Sequence, residues 1–204
     1  MQINIDRKTG VLLGVIVLLA AAVVSLSINR SDNNDMSSGS GHMGHGSSNS
    51  KNANYTGADI MFLQMMIPHH QQAIEMSDLA LTKSSDSELL ALAKDIRDGQ
   101  GAEIVKMKAW LDKAGADLDP GHSMGHDMGG MLSDSELAAL EAATGKNFDL
   151  LWLKAMTGHH DGAIDMAAMI EDAENAEIKS FGQAIVSAQS AQNKQMAAMI
   201  KRMG

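Results

Sequence analysis

A segment that occurs twice is the feature of this sequence that most restricts its fold. The stretch MMIPHHQQAIEM, residues 65–76, returns ninety residues later as AMTGHHDGAIDM, residues 155–166. Between residues 59 and 76, eight positions are identical to their counterparts ninety residues on, and further identities follow at an offset of 89. The chain therefore contains two copies of one unit, and the two copies are expected to build a common core.

Each copy has the composition of a pair of helices. Ala, Leu, Met, Gln and Glu dominate, and no sustained alternation of apolar and polar residues indicates a strand. Two amphipathic hairpins that each bury one face form a four-helix bundle with a pseudo-twofold axis. The predicted fold is all-α, with a short helix that ends near residue 145 and long helices at about 58–83, 85–114, 147–173 and 176–203.

Several residues mark the expected helix starts. Thr56 or Asp59 lies near the start of the first helix, and SDSE occurs both at 85–88 and at 133–136. This pattern is typical of a capping box, so it predicts the starts of the second helix and of the short helix. Pro68 and Gly158 precede the two histidine pairs and weaken helices. Either each helix is kinked at that point, or each helix begins there.

The first thirty residues do not belong to the bundle. Arg7 and Lys8 precede an uncharged apolar run at 10–28, which is long enough for a helix of roughly 28 Å, close to the apolar thickness of a bilayer. The run is either an uncleaved membrane anchor or a signal peptide that is removed. In both cases the remainder is exported to the cell envelope: it faces the periplasm or another extracytoplasmic space, or it is secreted after cleavage.

Three segments follow from this division of the sequence. Residues 1–30 are the anchor or signal peptide, and residues 31–55 form a Ser-, Gly- and Asn-rich linker that we expect to be flexible. Residues 56–204 form the bundle, with a loop rich in methionine and histidine at 115–132.

Composition restricts the chemistry. Cysteine is absent, which excludes disulfides and leaves the methionine thioether as the available sulfur ligand. There are 17 methionines but only three phenylalanines, two tryptophans and one tyrosine, so many methionines are expected to fill the core. The net charge of −9 and the lack of a basic stripe argue against nucleic-acid binding.

The repeated segment places histidine and methionine on one helix face. Met66, His69 and Met76 are spaced three and seven residues apart, and His70 lies one turn after Met66. A lone buried histidine usually has a structural role, but a pair that recurs with flanking methionines favours a soft metal ion. The predicted ligands of the repeated segments are His69, His70, His159, His160, Met66, Met76, Met156 and Met166.

Two glycine-rich stretches provide further candidate ligands outside any helix. Thioether and imidazole together suit Cu(I), and imidazole alone also binds Cu(II). Silver would use the same ligands. The candidates in these stretches are His42, Met43, His45, His122, Met124, His126 and Met128.

Polar residues interrupt the apolar face of the second helix in each copy. Buried polar groups need partners, and a metal-binding histidine usually donates its other ring N–H to such a group. Gln100, Glu103, Gln189 and Gln192 are therefore predicted to hold the ring nitrogens that do not bind metal. The alternative is an ordinary layer of core hydrogen bonds, which we favour for Gln100 and Gln189.

The residues of both copies resemble a known family. MFLQMMIPHHQQAIEMSDLAL and LALAKDIRDGQGAEIVKMKAWL are similar to the bacterial "domain of unknown function 305" family and to its CopM-type copper-binding envelope proteins. The resemblance covers about residues 54–203, although Gln192 stands where the first copy has Glu103. It implies an exported, ferritin-like four-helix bundle that binds copper or silver through histidine and methionine.

Three functions are compatible with these features. We expect a binding protein, not an enzyme, that sequesters or carries copper and so confers resistance, with Cu(I) favoured and copper donor or acceptor proteins as partners. A ferritin-like metal oxidase is a second possibility, but neither histidine pair has the acidic residue three positions earlier that a di-iron site uses. A helical bundle that only presents an interaction surface is the third.

Overall fold

In the computed structural model, the described part of the chain comprises residues 54–119 and 129–204. It contains five α-helices and no strand, which confirms the all-α class. The helices are α1 (Gly57–Lys83), α2 (Ser87–Ala114), α3 (Asp134–Ala142), α4 (Gly145–Ala167) and α5 (Ala176–Met203), and one 3-10 turn (Ala168–Ile170) follows α4.

The predicted N-terminal anchor or signal helix and most of the linker lie outside the described residues. Within residues 54–119 and 129–204, none of the helices combines the length and apolar character that a membrane span requires. The predicted division at residues 30 and 55 stays a prediction.

Three of the predicted helix starts were marked by possible capping residues, and two of these three have capping boxes. The side chain of Thr56 accepts a hydrogen bond from the backbone N–H of Asp59, and the Asp59 carboxylate accepts one from the backbone of Thr56. Ser133 and Glu136 make the same reciprocal pair before α3. The predicted box at Ser85–Glu88 is wrong. There Asp86 is the N-cap, because its carboxylate accepts from the N–H groups of both Glu88 and Leu89.

α1 and α4 run through the residues that were expected to weaken them. Pro68 lies inside α1 and Gly158 lies inside α4, so the alternative that each helix begins there is wrong. The predicted end of α4 near residue 173 is also wrong. The chain tightens after Ala167, and the 3-10 turn buries Ile170 against Gly182, where a β-carbon would lie 2.7 Å from the Ile170 Cδ1.

The helices pack as two hairpins joined through their first helices. α1 packs along α2, α4 packs along α5, and α1 crosses α4. The apolar core divides into two clusters. The first combines the N-terminal half of α1 with the C-terminal end of α4, and the second combines the opposite halves. The two helices therefore run antiparallel, an arrangement compatible with a pseudo-twofold axis perpendicular to the repeated segments. Trp152 joins them in the second cluster, where its Nε1–H donates to the Met76 carbonyl over 2.8 Å.

Candidate metal centre

The repeated histidines lie at the point where α1 crosses α4. All four side chains are completely buried, and the rings of His69 and His159 are in contact, with centroids 3.8 Å apart and planes inclined by 39°. His70 and His160 are the second members of the two pairs. Two pairs that are ninety residues apart in sequence therefore meet in one polar layer between the two apolar clusters.

Three of the histidines have a hydrogen-bond partner at Nε2. The His70 Nε2 lies 2.7 Å from Oε2 of Glu103, and the His160 Nε2 lies 2.7 Å from Oε1 of Gln192. Both partners come from the second helix of the same hairpin, so the structure brings these two predicted pairs together. Glu103 keeps about a quarter of its side chain exposed (24%), and it therefore links the buried layer to the surface.

The third partner is a backbone carbonyl that the sequence did not indicate. The His69 Nε2 lies 3.2 Å from the carbonyl oxygen of Gly129. His159 differs from the other three, because neither of its ring nitrogens has a hydrogen bond of normal geometry within the described part of the chain, although the backbone of His69 lies close to its ring.

Burial keeps three of the four histidines, His69, His159 and His160, uncharged at neutral pH. Removal from water lowers the pKa of His69 to about 3 and that of His160 to about 4, and it lowers the pKa of His159 well below the usual value. Neighbouring histidines lower these pKa values further, because two adjacent imidazolium ions would repel each other. At neutral pH these imidazoles have a free lone pair, as metal binding requires.

Several polar atoms of this layer lack a partner in residues 54–119 and 129–204. They include the Nδ1 atoms of all four histidines. Both amide atoms of Gln100 and the Oε1 of Gln189 are also unpartnered, so among the described residues these atoms neither hold a ring nitrogen nor take part in a core hydrogen-bond layer. Buried polar atoms without partners are uncommon in folded proteins, so the concentration of such atoms in this layer makes it a candidate binding site.

Methionines flank the layer on both sides. Met66, Met107 and Met166 belong to the first apolar cluster, and their repeat counterparts Met156, Met196 and Met76 belong to the second. Each side therefore combines the methionine that precedes the histidines of one copy with the methionine that follows them in the other. Met107 and Met196 were not predicted as site residues, although their repetition at an offset of 89 was a usable signal.

The donor atoms available in this layer restrict which metal ions it can bind. Within the described residues, no three side chains of histidine, cysteine, aspartate or glutamate already surround a common point as a metal site. Any site in this layer must therefore be completed by other donors, and methionine sulfur is the donor at hand. Imidazole with thioether fits a soft ion such as Cu(I) or Ag(I) better than Zn²⁺ or iron.

A short backbone segment, Gly129–Leu132, lies across α1 and α4 beside the histidines, and we call it the strap. Gln72 of α1 holds its end, because the Gln72 amide donates to the Leu132 carbonyl over 2.9 Å and accepts from the Leu132 N–H over 2.8 Å. On the α4 side, a β-carbon on Gly162 would lie only 1.7 Å from the Gly129 oxygen. The contact thus requires glycine at Gly162.

No sequence pattern indicated the strap residues in advance. Gly158 and Gly162 stand four residues apart in the second copy, where the first copy has Pro68 and Gln72. This departure from the repeat was the available signal, since backbone can approach a helix closely over glycine. The candidate ligands His42, Met43, His45, His122, Met124, His126 and Met128 lie outside the described residues.

Comparisons with known proteins place this arrangement in a wider group. Among curated proteins, none matches this sequence. A solved structure of a DUF305 protein from Streptomyces coelicolor is 31% identical, with a TM-score of 0.68, and the match covers 72% of this chain and 94% of that one.

A second group of similar structures contains metal. The protein CopM in its Cu(II)-bound form is 34% identical, with a TM-score of 0.63, and the match covers 72% of this chain and 97% of that one. CopM in a silver-bound form is 32% identical, with a TM-score of 0.60 and coverage of 73% and 97%. A family described as a domain of unknown function, DUF305, matches residues 59–200 of the present sequence. With more than two thirds of its length matched, this chain belongs to the DUF305 family.

Proposed function

We propose that this protein binds soft metal ions, copper above all and silver as a surrogate, through the histidine layer and its flanking methionines. One observation carries the proposal. Four fully buried imidazoles from two repeated segments meet between two methionine-containing clusters, and the Nδ1 atom of each lacks a partner among the described residues.

Without a bound ion, the histidine layer lowers the stability of the fold. A bundle of this size would be at least as stable with apolar residues at the crossing, because an unpaired buried polar atom destabilises the fold. A bound metal ion turns these lone pairs into bonds. Since thioethers are soft donors that suit Cu(I), Cu(I) is the favoured ion, and Cu(II), which imidazole alone can bind, is the second choice.

The similar proteins support the choice of metal. Solved structures of CopM include Cu(II)-bound, Cu(I)-bound and silver-bound forms, which are 32–34% identical to this chain. Because both chains share the repeat-built helical fold over most of their length, we transfer copper and silver binding to this protein as part of the proposal.

The wider role follows from the sequence at both ends of the described region. We propose that the protein is exported, that residues 1–30 anchor it or direct its export, and that it sequesters or carries copper outside the cytoplasm. A ferritin-like bundle is the proposed description of the two hairpins. We assign no catalytic step, and copper donor or acceptor proteins are the proposed partners.

A competition titration with Cu(I) tests the proposal. The full-length protein and a variant with His69→Leu and His159→Leu compete with a chromogenic Cu(I) chelator, and circular dichroism checks that the variant is folded. We expect the variant to lose at least one tightly bound ion. The matched control replaces the four histidines outside the buried layer, His42, His45, His122 and His126, with serine and should keep that ion. Equal copper binding by the double variant and the unmodified protein would refute the proposal.

A further inference from the structure

The hydrogen-bond partners of the histidine layer determine which ring nitrogen is free. A backbone carbonyl only accepts hydrogen bonds, so the contact between Gly129 and His69 requires a hydrogen on Nε2 of His69. The Glu103 carboxylate places the same requirement on His70, and the Gln192 Oε1 does so on His160. Each partner therefore assigns the ring hydrogen to Nε2.

A metal-binding imidazole is neutral and has a single ring hydrogen. When that hydrogen is on Nε2, the lone pair is on Nδ1. The Nδ1 atoms of His69, His70 and His160 are buried in the layer and have no partner among the residues that the structure describes. The same three side chains thus combine a satisfied Nε2–H with an unsatisfied Nδ1.

We infer that Nδ1 is the metal-binding atom of each of His69, His70 and His160, in a tautomer that Gly129, Glu103 and Gln192 select before an ion arrives; the three rings need not share one ion. The inference rests on the proposed function and names the ligand atoms of that site. Ligation through Nε2 would require each ring to give up its hydrogen bond to that partner.

His159 is the one histidine of the layer without such a selecting partner. Its repeat counterpart His69 contacts the Gly129 carbonyl of the strap. In the described part of the chain, the His159 ring has the backbone of His69 close by but no hydrogen bond of normal geometry, so we assign no tautomer to it.

Nuclear magnetic resonance of the full-length, ¹⁵N-labelled protein tests the inference in two stages. Before metal is added, long-range ¹H–¹⁵N correlations should show Nε2–H tautomers for His69, His70 and His160, each assigned with a single His→Gln variant. Ag(I) is the probe because its nuclear spin splits the signal of the bonded nitrogen. After addition of Ag(I), the splitting should occur at Nδ1 of these residues.

The outcomes separate the two proposals. Splitting at Nε2 of these histidines would overturn the Nδ1 inference and would leave soft-metal binding intact. Absence of splitting at every histidine of the layer would overturn the proposed function itself.

A pair of substitutions tests whether Glu103 positions His70. Glu103→Gln keeps an oxygen acceptor, so His70 should keep its Nε2–H tautomer and its silver splitting at Nδ1. Glu103→Leu removes the acceptor, so His70 should show a mixture of tautomers and a weaker splitting, while the His160 signals stay unchanged. Glu141→Leu, which changes an exposed glutamate of α3, is the control for loss of a carboxylate. Unchanged His70 tautomers in Glu103→Leu would overturn the positioning role.

Discussion

At the scale of single residues, the two copies differ in the group that contacts the second histidine. Glu103 gives His70 a carboxylate, whereas Gln192 gives His160 an amide oxygen at the same distance. A carboxylate hydrogen-bonded to an imidazole makes the ring a stronger donor to metal and adds one negative charge to the layer. Because thioethers carry no charge, the Glu103 carboxylate can compensate the charge of one monovalent ion.

This difference predicts opposite results for two exchanges. Glu103→Gln makes the first copy resemble the second and should weaken Ag(I) binding by about 10- to 100-fold. Gln192→Glu adds a second carboxylate, so it should raise the affinity for Cu(II) relative to Ag(I). Competitive titrations with Ag(I) and Cu(II) on the same preparations give the ratio of the two affinities for each variant. The same ratio of affinities in both variants would contradict the charge argument.

The buried histidines also predict how stability depends on pH. His69, His159 and His160 have folded-state pKa values far below the value near 6.5 that they have when unfolded. The unfolded chain therefore binds more protons between about pH 6.5 and pH 4. Stability should be constant above that window and should fall as the pH decreases through it.

The expected slope is at most about 1.4 kcal/mol per pH unit for each histidine. Urea unfolding of the metal-free protein at several values between pH 7 and pH 4.5 measures it, and most carboxylates titrate below this range. The His69→Leu, His159→Leu variant should have a clearly smaller slope. An identical slope in that variant would mean that other groups take up the protons.

At the scale of elements, the strap can be tested at two glycines of α4. Gly162→Ala places a β-carbon 1.7 Å from the Gly129 oxygen, so the strap must move and the melting temperature should fall by several degrees, equivalent to about 1–3 kcal/mol. Gly158→Ala, one turn earlier, meets nothing within 4 Å and should stabilise the helix by up to about 1 kcal/mol. Thermal unfolding followed by circular dichroism compares them. Equal shifts of the same sign would contradict the close contact.

Gln72 provides a second test of the strap. Its amide pairs with both backbone groups of Leu132. Gln72→Met keeps the length of the side chain and removes both bonds, so it should cost about 1–3 kcal/mol and expose the Leu132 N–H. Hydrogen exchange at that amide should accelerate in Gln72→Met, but not in Gln71→Met, which changes the exposed neighbouring residue. Unchanged protection of Leu132 in Gln72→Met would argue that other contacts hold the strap.

The helix bounds show how much of the fold could be predicted from the sequence. The predicted bounds of the first and last long helices agree with the structure within one residue, because composition, apolar spacing and a box at Thr56 point the same way. SDSE at 85–88 failed because Asp86 accepts two amide hydrogen bonds alone, whereas the same four letters before α3 form the predicted box. The α4 terminus failed because packing of Ile170 on Gly182, a contact distant in sequence, sets it.

At the scale of the whole molecule, the duplication accounts for much of the candidate site. It predicted the four histidines and the methionines on either side, and the antiparallel crossing of α1 and α4 brings the two copies together. Sequence spacing on one helix could not reveal that each methionine cluster mixes the two copies. It also could not reveal Gly129, Gln72 or Gly162, because the strap lies on one side of the axis and breaks the repeat.

The crossing of α1 and α4 also predicts the number of metal-binding centres in the molecule. Because His69 and His159 come from different copies and touch each other, we expect one silver-binding centre that needs both halves. Ag(I) at 100 times its dissociation constant should stabilise the folded protein by about 2.7 kcal/mol. His69→Leu and His159→Leu should each lose nearly all of this increment, measured as the Ag(I)-induced rise in melting temperature.

Metal-free His159→Leu should melt near the unmodified protein or above it, because leucine replaces a buried ring that has no hydrogen bond among the described residues. Metal-free His69→Leu should melt slightly lower, because it also removes the hydrogen bond to the Gly129 carbonyl. This comparison separates a lost ligand from a damaged fold. A variant with serine at His122 and His126 is the control and should keep the full increment. If each single leucine variant instead kept about half of the increment, the two copies would bind metal independently, and the contact between His69 and His159 would be a packing contact of the core.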